Sequence, residues 1–135
     1  MDRGFTLIEL AIVLAIIAIV GAIILPNFLS TTDRAKLRSD VQSARVLQNA
    51  SELYDAEHGT ALARADAGRD IALLENGGYL PKNGAVIQTT GASWTYDGDR
   101  IIKVDISGST DEIKKIAQSL DRQERVMIAG FGGDE

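Results

Sequence analysis

Between Phe5 and Leu25 every residue except Thr6, Glu9 and Gly21 is apolar. At about 1.5 Å rise per residue, a helix over this stretch is roughly 30 Å long, the depth of one hydrocarbon core. A single carboxylate, Glu9, lies near its start. An acid within a membrane segment is expensive and needs a partner or a purpose. A secretory signal peptide is basic at the front, has a shorter apolar core and ends at a small-x-small cleavage site. Here only Met1, Asp2, Arg3 and Gly4 precede the run, the core is too long and no such site follows it. A plain signal anchor fits the length and leaves Glu9 unexplained.

Gly4-Phe5-Thr6-Leu7-Ile8-Glu9, the apolar run and Pro26 together resemble the N-terminus of a type IV prepilin or a closely related pseudopilin. The resemblance is strong over about the first 30 residues and looser to His58. It implies a leader, residues 1–4, cut between Gly4 and Phe5 by a prepilin peptidase that also methylates the new amine of Phe5. Residues 5–29 would be the membrane segment and later the filament core, and residues 30–135 the head. The subunit would wait in the cytoplasmic membrane, surrounded by lipid, with its N-terminus in the cytoplasm. An assembly ATPase and an inner-membrane platform would then pass it into a cell-surface filament of its own kind. Lys and Arg counts do not fix this orientation, because Arg3 on one flank faces Arg34, Lys36 and Arg38 on the other. In a filament core Glu9 would be costly unpaired, and the Phe5 amine of an adjacent subunit is its natural partner. Pro26 removes a helix hydrogen bond, and Gly21 weakens the same region.

The second half of the long helix carries a different pattern. From Thr32 to Glu57 there is no Gly or Pro, and Leu37, Val41, Ala44, Leu47, Ala50 and Tyr54 recur at three- and four-residue intervals. That is one apolar face, with Arg38, Asp40, Arg45, Gln48 and Glu52 mostly off it. Gly59 is the natural stop. The expected fold class is α+β: a long N-terminal helix packed on a small antiparallel sheet, with a second short helix near the C-terminus.

In the head, Thr60 to Asp70 reads as a loop and Ile71 to Glu75 as one or two helical turns stopped by Asn76-Gly77-Gly78. Val86 to Thr90, Ser93 to Tyr96 and Arg100 to Ile106 read as strands, with Asp97-Gly98-Asp99 a hairpin turn. Ser109 to Glu112 resembles a capping box for a helix whose apolar stripe is Ile113, Ile116, Ala117 and Leu120. Arg125 to Ala129 reads as a last strand before the Gly-rich acidic tail, Gly130 to Glu135.

A formal net charge of −5 gives no reason to infer a nucleic-acid partner, which favours a concentrated basic face. Without cysteine, no disulfide closes the head, which must hold by core packing and subunit contacts. No catalytic constellation is visible, and no cofactor or metal is expected. His58 is the single histidine and sits at a helix end, where the dipole accounts for it. Asp97 and Asp99 make a solvated hairpin tip rather than a calcium site, and Gly77-Gly78 lacks a phosphate-loop context. The residues therefore imply a structural filament subunit rather than an enzyme. The alternatives are a pseudopilin of a type II secretion or DNA-uptake system and, from another class, a membrane-anchored binding domain that never polymerises.

Overall fold

The computed structural model of the chain describes residues 4–59, 62, 64–98 and 101–131. The chain divides into two compact units, Met1–Thr32 and Asp33–Glu135. The long helix α1, Leu7–His58, supplies residues to both.

In the first unit α1 is an apolar helix with no buried residue. It is long and apolar enough to cross a membrane. The helix continues through Pro26, whose ring nitrogen cannot donate to the carbonyl of Ala22. Just beyond it, Ser30 Oγ and Thr31 Oγ1 donate to the Asn27 carbonyl (3.0 and 2.8 Å), and Thr32 Oγ1 donates to that of Phe28 (2.9 Å). Hydroxyls bonded back in this way compete with the helix ladder and bend it.

The second unit is an α+β head. Leu37, Val41, Ala44 and Leu47 of α1 are completely or almost completely buried, so the expected apolar face is the packed one. Against it lie α2 (Ala67–Asn76), β1 (Ser93–Tyr96), β2 (Ile102–Asp105), α3 (Asp111–Ser119), α4 (Arg122–Arg125) and β3 (Ile128–Ala129). Leu37, Val41 and Ala44 pack with Val104, Ile106, Ile113, Ala117, Leu120 and Ile128. Leu47 and Ala50 pack with Leu62, Leu74, Leu80 and Ile102. Trp94 touches both clusters.

The sheet has the order β1-β2-β3 and is mixed rather than wholly antiparallel. β1 and β2 form the expected hairpin, antiparallel with Trp94 opposite Val104. β3 lies parallel to β2, with Val104 opposite Ile128. The chain reaches β3 by crossing over through α3 and α4, and a crossover returns a strand in the same direction. Asp97 stands at the hairpin, with its N–H on the Ile101 carbonyl (2.8 Å) and its carboxylate 2.5 Å from Lys103 Nζ. That hydrogen bond with Lys103, then the Gly98 N–H, holds its carboxyl below the usual range. Asp99 and Arg100 of the expected turn lie outside the described residues, as do Gly132 to Glu135 of the tail.

Several expectations give way to specific contacts. α2 begins at Ala67, not Ile71, because Asp66 caps it, its Oδ1 accepting from Gly68 and Arg69 N–H (2.9 and 3.3 Å). Asp70 is therefore helical. Val86 to Thr90 is not a strand: the N–H groups of Gln88 and Thr89 donate instead to the Asp40 carboxylate, both at 2.8 Å. Asp40 is consequently fully buried among the apolar residues of α1 and not off that face. The same segment is held at its end by Gly91, whose φ is +77°; a Cβ there would stand 2.4 Å from the Gly108 carbonyl oxygen. No capping box forms at α3. Thr110 is the N-cap without a side-chain bond, and Ser109 Oγ donates to the Thr90 carbonyl (2.8 Å). Of Arg125 to Ala129 only Ile128–Ala129 pairs as a strand, because Asp121 caps the short α4 and absorbs Arg125.

Candidate processing and assembly site

The residues singled out at the N-terminus are Gly4, Phe5, Glu9 and Pro26. Gly4 and Phe5 precede α1 in exposed, non-helical chain, with Phe5 91% exposed. A Cβ on Gly4 would meet nothing within 4 Å. Among the described residues nothing therefore demands glycine there.

Glu9 is engaged within its own chain. Its Oε2 accepts from the Thr6 N–H (2.8 Å) and from Thr6 Oγ1 (3.0 Å). The Glu9 N–H donates in turn to Thr6 Oγ1 (3.3 Å). The first helical bond runs from Leu10 N–H to the Thr6 carbonyl. Thr6 is thus the N-cap and Glu9 the third helical residue of a reciprocal capping box. The signature Thr-x-x-Glu stood in the sequence and was read only as part of a longer motif. The carboxylate also stands in the first turn, where the helix dipole favours negative charge. Oε1 keeps no partner among the described residues. Glu9 can therefore seat the start of α1 and still offer one oxygen outward. Pro26 lies further along the same helix and shares no contact with Glu9.

The surface behind these residues is apolar apart from Glu9 and Asn27. From Leu7 to Leu29 none of the large apolar side chains is less than 47% exposed. At about 25 cal/mol per Å², so much uncovered apolar area is stable only when lipid or another apolar surface meets it. Among the described residues, no group of three or more His, Asp or Glu stands close enough to hold a metal ion.

Residues 1–25 match the family described as the prokaryotic N-terminal methylation motif. The chain is 33% identical to the type IV narrow pilus major component PilA5 of Thermus thermophilus over 109 residues, covering 81% of this chain and 82% of that protein. It is 46% identical over 54 residues to prepilin peptidase-dependent protein A of Clostridium perfringens, 40% of this chain and 39% of that one. With type II secretion system core protein G of Escherichia coli the identity is 30% over 57 residues, 42% of this chain and 39% of the other. The chain thus spans well under half the length of these last two relatives. No solved structure matches it.

Proposed function

The chain belongs to the type IV pilin family, and from that premise we propose that it is the pilin subunit of a cell-surface filament, assembled through its apolar N-terminal helix. The observation that carries this reading is the uncovered apolar surface from Leu7 to Leu29, interrupted only by small residues, Pro26, Glu9 and Asn27. In the precursor, lipid covers it. In the filament, the same segment of other copies does.

Processing precedes assembly. A prepilin peptidase cuts between Gly4 and Phe5 and methylates the freed amine; the exposed, non-helical chain at both residues is open to such an enzyme. The requirement for glycine then belongs to the peptidase pocket. The new amine carries a positive charge, and Glu9 Oε1 of a neighbouring copy is a free acceptor for it. Because Oε2 is already bonded to Thr6, the carboxylate is preoriented and loses little rotamer freedom on docking. Away from water, such a pair is sensitive to removal of either charge. The N-terminus faces the cytoplasm before extraction, and an assembly ATPase and inner-membrane platform supply the work. The loosened stretch around Gly21, Pro26 and Ser30 to Thr32 lets the helix bend on leaving the bilayer.

The likeness to a type II secretion core protein favours a second reading, a pseudopilin in a shorter filament. A membrane-anchored domain that never polymerises is the remaining contrast. Electron microscopy of material sheared from the source cells separates them: long filaments that contain this chain support the pilin, chain held only in the envelope with assembled short polymers supports the pseudopilin, and monomer alone removes both.

A further inference from the structure

We propose that the head binds an extended peptide as an added strand on the outer edge of β1, in the recess between that strand and the start of α2. This stands apart from the filament reading and uses none of the N-terminal residues.

The backbone register exposes the edge. In an antiparallel pair, bonded and non-bonded residue pairs alternate. The Asp97 N–H bonds the Ile101 carbonyl, so Thr95 with Lys103 and Ser93 with Asp105 are the bonded pairs. β2 agrees: the N–H of Val104 turns the other way, to the Met127 carbonyl (2.9 Å). Trp94 and Tyr96 therefore point their peptide groups away from β2. Neither has a backbone partner for its N–H among the described residues. Two donors and two acceptors stand at the spacing that another strand satisfies.

Beside this edge lies a recess of about 490 Å³ lined by Arg64, Ala65, Asp66, Ala67, Trp94, Thr95 and Tyr96. Arg64 is held there by Asp55, whose Oδ2 lies 2.6 Å from a terminal guanidinium nitrogen, and its side chain is only 8% exposed. Its Nε–H is buried and meets no acceptor. A buried donor without an acceptor is costly, and a ligand carbonyl satisfies it once the Arg64 side chain shifts toward the recess. Arg64 also has φ +48°, a conformation that non-glycine residues seldom hold.

The charge of the occupant follows from the groups around it. One guanidinium, already paired with Asp55, stands near two further carboxylates. Asp66 uses Oδ1 for the α2 cap, and buried Asp70 accepts from Tyr96 OH (2.6 Å). The balance is negative, which disfavours an anionic ligand and favours a strand bearing Lys or Arg. The ligand class is therefore a basic, extended polypeptide segment of a partner protein.

Trp94 is the chain's single tryptophan and lines the recess, so its emission reports binding. The full-length protein in detergent micelles is titrated with the blocked pentapeptide acetyl-Thr-Val-Lys-Val-Thr-amide. A saturable change in Trp94 emission is expected. N-methylation of the two valines, which removes pairing donors and leaves the side chains, weakens binding by about tenfold. Glu in place of the peptide's Lys weakens it by about threefold. Arg64→Lys, which keeps a cation for Asp55 and removes the Nε–H, weakens it by about fivefold. No saturable change at millimolar peptide overturns the proposal. So does an N-methylated peptide that binds as tightly as its parent, because strand pairing would then play no part.

Discussion

Glu9 is the residue on which capping and assembly meet, and the two roles can be pulled apart chemically. Glutamine at the third helical position also closes a capping box, so Glu9→Gln keeps the cap on Thr6 and removes only the charge. Glu9→Val removes both. Both variants should insert in the membrane, Glu9→Val at least as readily because the segment loses its charge. Neither should give more than a trace of filament by electron microscopy. Normal filament yield from homogeneous Glu9→Gln would show that the charge does not drive docking. Asp40 makes the corresponding case inside the head. Its carboxylate is the acceptor for two amides of an otherwise unpaired segment. Asp40→Ala should cost about 3 kcal/mol in a denaturant melt, since two N–H groups lose their acceptor. A loss below about 0.5 kcal/mol would mean that water replaces it. This contact was not legible in the sequence. Its partners lie 48 and 49 residues away, so the β-like run Val86 to Thr90 read as a strand, and Asp40 read as one more polar residue off the apolar face.

At the scale of elements, legibility followed the range of the interactions. The apolar face of α1, the stripe of α3 and the β1–β2 hairpin depend on local periodicity and were read correctly. The start of α2, the uncapped start of α3 and the parallel pairing of β3 depend on side chains or crossovers that periodicity does not carry. Two tyrosines tie the elements together. Tyr79, after α2, donates to Glu57 of α1. Tyr96 of β1 donates to Asp70 of α2 at 2.6 Å. The bond to Glu57 is the main cause that pushes the Tyr79 phenol up to about 12, while burial first, then the bond to Asp70, pushes Tyr96 upward as well. Both values are raised in the folded state above 10, so the stability they lend is complete below pH 10 and is lost as pH climbs toward and past 12. Ultraviolet titration of the phenolates should show one or more tyrosines ionising well above pH 10, together with unfolding. Tyr79→Phe should remove part of that alkaline transition and lower the neutral melt slightly, since the lost bond to Glu57 is exposed. Three tyrosines ionising together at pH 10 in the folded protein would contradict these contacts.

At the scale of the whole molecule, the N-terminal motif was legible as a motif because its residues are contiguous, though its Thr6–Glu9 capping box was not read from it, and the recess beside β1 was not legible, because its walls come from separate parts of the chain. The apolar residues of the head, unlike those of Leu7 to Leu29, largely find partners within their own unit. A fragment beginning at Ser30 should therefore be soluble, monomeric and cooperative in its melt; aggregation or a melt without a transition would mean that the head needs the apolar segment. The central claim is that this chain is processed and then polymerised. It is tested most directly by intact mass and N-terminal sequencing of the chain recovered from filaments sheared from the cells that make it. The account predicts filaments whose subunit begins at Phe5 with a methylated amine. Native chain that still begins at Met1, and that is absent from the sheared fraction, would contradict it.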